Sequence, residues 1–212
     1  MDAKVPLNPF VETKVRMWYR LHNKKRNGFM NKADFIEMTD SFIKEFKLDA
    51  EMAEEIRSWL VNGWTALIKF MKNSADDPKT SIPLDKIPTV SMVAEKLSKD
   101  GTITEDEYVK AYAESLQIDP SPFPACFSEM VSFFFKVFDT DKDGYLIEKD
   151  MVRGWRCFGI DNAKAVKAVF ADLDPTGSGK VDRDTYVGAW MEYMTGMNKS
   201  APIAKHFTPD IL

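Results

Sequence analysis

The sequence predicts an all-α protein made of four helix–loop–helix units, arranged in two pairs that pack into one compact protein. Three observations lead to this prediction. One acidic twelve-residue loop lies between two amphipathic stretches, three further loops carry a glycine at the same position, and apolar residues recur at helical spacing. With 212 residues, 44% of them apolar, the chain can bury a sizeable core.

The first loop, residues 23–34, reads Asn-Lys-Lys-Arg-Asn-Gly-Phe-Met-Asn-Lys-Ala-Asp. Gly28 holds position 6 and Asp34 position 12, but Lys24, Lys25 and Arg26 replace the acidic side. Three positive charges exclude a divalent cation from this loop. They can hold it partly closed in place of a metal, so we expect a purely structural unit.

An insertion separates the first loop from the second. We expect a long amphipathic helix that begins after Asp49, a residue type favoured at helix N-caps. Its apolar residues are Met52, Ile56, Trp59, Leu60, Leu67, Ile68 and Met71. A connection rich in Pro, Asp, Lys and Ser follows at residues 73–88.

The second loop, residues 96–107, reads Lys-Leu-Ser-Lys-Asp-Gly-Thr-Ile-Thr-Glu-Asp-Glu. Ser98, Asp100 and the closing Glu107 suit a cation-binding loop. Position 1, however, is Lys96, whose ammonium repels an ion and takes the place of the first carboxylate. The loop is therefore expected to be degenerate, with a rearranged or low-affinity site left open.

The third loop, residues 139–150, reads Asp-Thr-Asp-Lys-Asp-Gly-Tyr-Leu-Ile-Glu-Lys-Asp. Carboxylates at positions 1, 3, 5 and 12 (Asp139, Asp141, Asp143, Asp150) and the carbonyl of Tyr145 can converge on one hard cation, and glycine permits the sharp bend. This is the spacing of an EF-hand calcium loop. A solvated polar turn is the alternative, but it would require the alternating aspartates, the glycine and both amphipathic flanks to coincide by chance.

Two departures weaken the third loop. Asp150 is one methylene shorter than the usual glutamate, and Ile147 at position 9 removes the route to a ligating water. A lower coordination number favours magnesium relative to calcium. We therefore predict modest calcium affinity with appreciable magnesium competition.

The fourth loop, residues 174–185, reads Asp-Pro-Thr-Gly-Ser-Gly-Lys-Val-Asp-Arg-Asp-Thr. Its side-chain oxygens at positions 1, 3, 5 and 9 belong to Asp174, Thr176, Ser178 and Asp182. Thr185 at position 12 cannot supply two carboxylate oxygens, so a weaker cation site is expected. A phosphate-binding loop is excluded because Asp174 and Val181 stand where that motif needs glycine and Ser or Thr.

These loops divide the chain into an N-terminal pair (1–117), a C-terminal pair (118–195) and a tail (196–212) packed on the core. The prolines in Asp119-Pro-Ser-Pro-Phe-Pro124 forbid a continuous helix between the two pairs. The lobes should therefore fold against one another rather than stand apart on a rod.

Composition excludes several function classes. A formal charge of −4 does not suit a nucleic-acid partner, and no segment is apolar enough to span a membrane. The first twenty residues lack the apolar core of a signal peptide, and only Cys126 and Cys157 occur, which suggests free thiols in a reducing, cytoplasmic setting. No Ser/His/Asp or Cys/His arrangement is evident, so we expect no enzyme.

The order of these units resembles the invertebrate sarcoplasmic calcium-binding proteins and the related calexcitins. The resemblance is carried by the following segments: Trp18-Tyr19-Arg20, Phe134-Phe135-Lys136-Val137-Phe138-Asp139, Ala189-Trp190-Met191-Glu192-Tyr193 and His206-Phe207-Thr208-Pro209-Asp210-Ile211-Leu212. It implies a calcium and magnesium buffer or signalling protein in the cytosol, with divalent cations as partners and a protein target only if it acts as a sensor. It also implies the ligands already named, with the Lys180 carbonyl added to the weaker site. We expect the protein to be a monomer.

The aromatic and methionine content allows three interpretations. One is a shared core containing Trp18, Phe35, Trp59, Trp64, Phe134, Trp155 and Trp190; another is a methionine-lined groove for a partner helix. The third is a cavity for an organic ligand, because EF-hand photoproteins and luciferin-binding proteins are similar in organisation and hold coelenterazine-type molecules with His, Trp and Tyr. Of the two histidines, we expect His22 to be solvated and His206 to be a paired histidine of the tail, with a place in such a pocket as the alternative for His206.

Overall fold

The computed structural model of the protein describes residues 7–65 except 24 and 26, residues 88–118, residues 122–208, and Ile211. Its helices are α1 (Pro9–His22), α2 (Lys32–Phe46), α3 (Ala50–Val61), α4 (Pro88–Ser98), α5 (Glu105–Ile118), α6 (Pro122–Phe138), α7 (Glu148–Cys157), α8 (Ala163–Leu173), α9 (Arg183–Thr195) and α10 (Pro202–His206). The short strands are β1 (Phe29–Met30), β2 (Ile103–Thr104), β3 (Tyr145–Leu146) and β4 (Val181–Asp182). The predicted helical fold is confirmed.

The short strands join the four loops in two pairs. Strand β1 pairs antiparallel with β2, so that Met30 lies opposite Ile103, and β3 pairs in the same way with β4, so that Leu146 lies opposite Val181. All four of these residues hold position 8 of their loops and are buried. Loop 23–34 therefore lies beside loop 96–107 in spite of the insertion, and loop 139–150 lies beside loop 174–185.

The helix of the insertion is shorter than the sequence predicts. Asp49 is its N-cap, with its side chain accepting a hydrogen bond from the Met52 amide, but α3 ends at Val61. Asn62 leaves helical geometry, and its amide donates to the Ser58 carbonyl. Asn-Gly is a poor helix-forming dipeptide, which explains the break before the helical residues 63–65. Leu67, Ile68 and Met71 lie outside the described residues.

The two pairs share one aromatic core. Phe42 of α2 contacts Phe134 and Phe158, with ring centroids 5.2 and 4.8 Å apart, and Trp18 of α1 lies 5.4 Å from Trp190 of α9. Such edge-on and tilted contacts add to the burial of large apolar surfaces. Helix α5 ends at Ile118 and α6 begins at Pro122, which agrees with the predicted break between the pairs.

The predicted core residues divide into two groups. Trp18, Phe35, Phe134, Trp155 and Trp190 are buried, whereas Trp59 and Trp64 are only half-buried and pack against the edge of the core. Cys126 and Cys157 are buried free thiols, and burial raises the pKa of Cys126 to about 12. Among the described residues, no helix is both long enough and apolar enough to cross a bilayer.

The C-terminal tail packs on the C-terminal pair. The ring of Phe207 lies among those of Trp155, Trp190 and Tyr193, with centroids 6.1, 6.2 and 5.3 Å away. His206 Nε2 and Lys205 Nζ lie 2.8 and 3.0 Å from Asp172 Oδ2 on α8. The tail therefore covers the apolar surface of this pair.

Candidate metal centre

Loop 139–150 brings three carboxylates together. One oxygen each of Asp139, Asp141 and Asp143 lies within 4.8 Å of the others. Asp139 is buried at the end of α6, while Asp141 and Asp143 are exposed. Carboxylates at this spacing repel one another unless a cation lies between them, and an all-oxygen donor set is what calcium and magnesium require. The residues present therefore fit a hard divalent cation.

Backbone amides orient these carboxylates. Asp139 accepts hydrogen bonds from the amides of Asp143 and Gly144 at 3.1 and 3.0 Å, and Asp143 Oδ1 accepts from the Tyr145 amide at 2.9 Å. Gly144 adopts a φ of 83°, a conformation that only glycine takes without strain. The loop is thus shaped by hydrogen bonds between its own backbone amides and carboxylates.

Asp150 lies apart from this cluster. Among the described residues, its carboxylate oxygens do not join the group within 4.8 Å, and Oδ2 accepts a hydrogen bond from the Ile147 amide at 3.1 Å. Burial raises the pKa of Asp150, and the charges of Asp141 and Asp139 add to this rise. A bound cation would relieve both the repulsion and the burial cost of the charged carboxylate.

A lysine from the neighbouring loop reaches this cluster. Lys180 Nζ donates to Asp143 Oδ2 at 2.7 Å and lies 5.0 Å from the centre of the Tyr145 ring. The hydrogen bond from Lys180, followed by that from the Tyr145 amide, lowers the pKa of Asp143. Local spacing does not predict this contact, because Lys180 and Asp143 lie in different loops.

The side-chain oxygens of loop 174–185 form hydrogen bonds within the loop. Asp174 Oδ1 accepts from the hydroxyls of Thr176 and Ser178 at 3.0 and 2.9 Å, and its Oδ2 accepts from the Gly179 amide. Burial alone would raise the pKa of Asp174, but these hydrogen bonds and that of the Ser178 amide outweigh it and lower the pKa. Asp182 caps α9 by accepting from the Thr185 amide at 2.8 Å. Among the described residues, this loop forms no carboxylate cluster.

Loop 96–107 is closed by an internal ion pair. The Lys96 ammonium at position 1 binds Glu107 Oε1 at position 12, and Glu107 Oε2 accepts from the Thr104 amide at 2.9 Å. Helix α4 continues to Ser98 at position 3, whereas α1, α6 and α8 all end just before position 1. The Ser98 hydroxyl donates to the Glu95 carbonyl along the helix and is therefore not directed to the loop centre.

Loop 23–34 is closed in a related way. Lys25 Nζ at position 3 lies 3.1 Å from Asp34 Oδ1 at position 12. Asp34 is buried, and its Oδ2 accepts from the Asn31 amide at 2.9 Å. A lysine thus holds this loop closed, as its sequence predicts; Lys24 and Arg26 lie outside the described residues.

An aromatic cavity of about 100 Å³ lies between the two pairs. Its walls include Trp18, His22, Trp59, Trp64, Tyr108 and Phe127. The expectation that His22 is solvated was wrong, whereas His206 is a paired histidine of the tail, as expected. His22 is 5% exposed, lines the cavity and has Nδ1 2.8 Å from the Trp18 carbonyl oxygen, whereas His206 pairs with Asp172 and is not among the lining residues. The helical position of His22, four residues after Trp18, is the signal that could have shown this.

Comparison with known proteins places the fold. No family model matches the chain. A sarcoplasmic calcium-binding protein of Mizuhopecten yessoensis is 22% identical over 186 residues, which are 88% of this chain and 90% of that relative. The amphioxus sarcoplasmic calcium-binding protein superposes with a TM-score of 0.59 at 16% identity, over 96% of this chain and all of that one.

The chain is thus similar to the sarcoplasmic calcium-binding proteins over most of its length. The curated relative is named as a calcium-binding protein. The fold is not confined to such proteins: the calcium-loaded apo form of a coelenterazine-binding protein from Renilla muelleri has a TM-score of 0.56 at 19% identity, over 95% of this chain and 99% of that one. At these identities the structural matches establish the fold alone.

Proposed function

We propose that this protein binds calcium in loop 139–150. The ligands are the side chains of Asp139, Asp141, Asp143 and Asp150 and the carbonyl of Tyr145. The observation that carries the proposal is the convergence of three aspartate oxygens within 4.8 Å on a loop that backbone amides already orient. No other loop in the described part of the chain brings three carboxylates together.

Magnesium should compete at this site. Asp150 is held by the Ile147 amide and lies outside the carboxylate cluster, so it would reach an ion with one oxygen or after the loop tightens. Calcium takes six to eight oxygens, whereas magnesium takes six, so losing a bidentate ligand weakens calcium binding more. We therefore propose a site of modest calcium affinity with appreciable magnesium binding.

Loop 174–185 is proposed as a second, weaker site. Its ligands would be Asp174, Thr176, Ser178, the Lys180 carbonyl and Asp182. An ion there must displace the hydroxyl–carboxylate hydrogen bonds of Asp174 and the N-cap bond of Asp182, which lowers its affinity. This site should fill only at calcium concentrations well above those that saturate loop 139–150.

The protein is proposed to act as a cytosolic calcium buffer rather than as a sensor. A sensor exposes an apolar groove when calcium binds. Here the tail covers the C-terminal pair through Phe207, and the two pairs bury their aromatic faces against one another at Phe42 and Trp18. The buried free thiols agree with a reducing compartment, and the scarcity of large exposed apolar side chains among the described residues supports a monomer.

Calorimetric titration of the ion-free protein with calcium, and then with calcium in excess magnesium, tests this function. One tight site, weakened by magnesium, is expected. An ion that binds only the folded loop stabilises the protein by about 2.7 kcal/mol at a hundredfold excess over its dissociation constant, so the melting temperature should rise. A protein that neither releases heat nor gains stability with calcium would overturn the proposal. A large rise in ANS fluorescence on calcium binding would show that apolar surface becomes exposed, and would indicate a sensor rather than a buffer.

A second candidate function is the binding of coelenterazine or a similar luciferin, as in a carrier or a calcium-triggered photoprotein. The cavity between the pairs favours it, because its lining is largely aromatic and also includes His22, Tyr108 and Tyr112. Its volume of about 100 Å³ limits it. An engineered apolar cavity of about 150 Å³ holds one benzene, so a multi-ring ligand would have to widen this cavity.

Coelenterazine distinguishes the two functions. The ion-free protein is mixed with coelenterazine under oxygen, tryptophan fluorescence is followed, and calcium is then added. If the protein is a calcium buffer, we expect neither saturable quenching of the tryptophan fluorescence nor emission of light. Saturable quenching that Trp18→Phe reduces would favour the carrier, and light after calcium would favour the photoprotein.

A further inference from the structure

The ammonium group of Lys180 forms an ion pair with Asp143, one of the proposed calcium ligands. Its Nζ lies 2.7 Å from Asp143 Oδ2, while the other oxygen of Asp143 accepts from the Tyr145 amide. Asp143 is one of the three clustered carboxylates. Lys180 comes from the other loop of the pair, one residue before Val181, which lies opposite Leu146 in the β3–β4 ladder. Both oxygens of Asp143 therefore have hydrogen-bond partners.

An ion and this ammonium compete for the same carboxylate. A calcium ion takes ligand oxygens at about 2.3–2.6 Å, which would bring its two positive charges close to that of Lys180. The side chain of Lys180 is 48% exposed and flexible, so it can leave Asp143 and enter solvent. Its departure also removes its contact with the Tyr145 ring.

We infer that Lys180 is a tethered competitor of the cation in loop 139–150 and that its release transmits occupancy of this loop to loop 174–185. The inference rests on the proposed calcium function. It follows from position: Lys25 and Lys96 belong to the same loops as the carboxylates they bind, whereas Lys180 is supplied by the neighbouring loop. The carbonyl of Lys180 lies in loop 174–185 and accepts a hydrogen bond from the Ser178 hydroxyl at 3.1 Å, so a rearrangement of Lys180 can reach that loop through this bond.

Substitution of Lys180 tests the competition. Calcium affinity is measured by calorimetry for wild type, Lys180→Met, Lys180→Arg and Lys149→Met. Lys149 is the matched control, because it is exposed on loop 139–150 and forms no ion pair among the described residues. Losing the competing charge should tighten calcium binding in Lys180→Met by roughly fivefold to tenfold. Lys180→Arg should stay within about twofold of wild type, and Lys149→Met should change affinity by about twofold or less.

Amide chemical shifts test the transmission. In wild type, calcium binding to loop 139–150 should shift the Ser178 and Gly179 amides together with those of loop 139–150. In Lys180→Met these two amides should already lie near their calcium-bound positions before calcium is added. This comparison begins in the ion-free protein and does not depend on affinity.

The outcomes separate the inference from the function. Unchanged affinity in Lys180→Met, or an equal gain in Lys149→Met, overturns the competition while calcium binding stands. Wild-type shifts at Ser178 and Gly179 that persist unchanged in Lys180→Met overturn the transmission. A wild-type protein that binds no calcium overturns the proposed function, and the inference with it.

Discussion

Lysines contact the carboxylates of the N-terminal loops and of loop 139–150 in different ways. In loops 23–34 and 96–107, Lys25 and Lys96 bind the carboxylate at position 12 of their own loop. In loop 139–150, Asp150 at position 12 accepts a hydrogen bond from the Ile147 amide. Among the described residues, the only lysine that contacts the clustered carboxylates is Lys180, which belongs to the other loop of the pair. A lysine within the loop stays close to its carboxylate, whereas a lysine from the neighbouring loop can move away from it.

This difference predicts that the two pairs respond differently to an ion. The N-terminal loops are neutralised internally and still pair through β1 and β2, so they support the fold without any ion. The C-terminal pair keeps three clustered aspartates that only a cation can fully compensate. The ion response should therefore be confined to the C-terminal pair.

The largest expected effect is that of Asp139→Ala. This change removes the buried carboxylate at position 1, which accepts two backbone hydrogen bonds, and calcium affinity should fall by roughly a hundredfold or more. The rise in melting temperature with calcium should disappear as well. Glu107→Gln, at position 12 of loop 96–107, is the control and should leave calcium binding unchanged. A comparable loss in Glu107→Gln would place an ion in the N-terminal pair and end the contrast.

Asp150→Glu should sharpen the contrast in the opposite direction. The added methylene lets the side chain at position 12 reach the ion with two oxygens, so calcium affinity should rise by roughly tenfold and magnesium should compete less. Parallel calorimetric titrations with the two ions measure the ratio of their affinities. If that ratio does not change, the length of the residue at position 12 does not set the selectivity of this loop.

Lys96→Met tests whether the N-terminal pair depends on its ion pair. The lysine and Glu107 side chains are 36% and 28% exposed, so solvent screens their attraction. The free energy of unfolding should fall by only about 0.5 kcal/mol, measured by urea denaturation of the ion-free protein. Calcium stoichiometry should not increase, because α4 runs to Ser98 and leaves position 3 helical. A new calcium site in this variant would show that the charge of Lys96 alone silences the loop.

The smallest effect concerns pH. The hydrogen bond from Lys96, followed by that from the Thr104 amide, lowers the pKa of Glu107 below its ordinary value. A carboxyl whose pKa is lower in the folded state stabilises the fold above its unfolded pKa, and this stabilisation is lost as pH falls through the folded pKa. In Lys96→Met the pKa of Glu107 should rise toward its ordinary value, as measured by NMR titration of its carboxyl carbon. An unchanged pKa would mean that the ion pair does not persist in solution.

Sequence patterns were sufficient for the elements with strong local signals. Alternating Asp139, Asp141 and Asp143 followed by Gly144 indicate a loop whose conformation depends on nearby residues, and the structure brings these carboxylates together. Apolar residues at position 8, such as Leu146 and Val181, likewise indicate the strand pairing that is observed. These features follow from local spacing and need little knowledge of the remaining chain.

Other features could not be read from local spacing. The end of α3 at Val61 depends on the weak signal of the Asn-Gly dipeptide that follows it. The apolar periodicity of the insertion continues past this point and therefore predicts a longer helix. The burial of His22 beside the cavity depends on helices that are distant in sequence, as does the pairing of His206 with Asp172. Periodicity reports which face of a helix is buried, but not what that face meets.

The sequence by itself determined that this protein is helical, that its loops occur in four units, and that loop 139–150 has the donor spacing for a divalent cation, because each of these is written in residues close along the chain. Tertiary structure alone decided which carboxylate Lys180 contacts. The ammonium of Lys180 reaches Asp143 across the β3–β4 ladder, and a contact across a ladder depends on register and side-chain length rather than on sequence spacing.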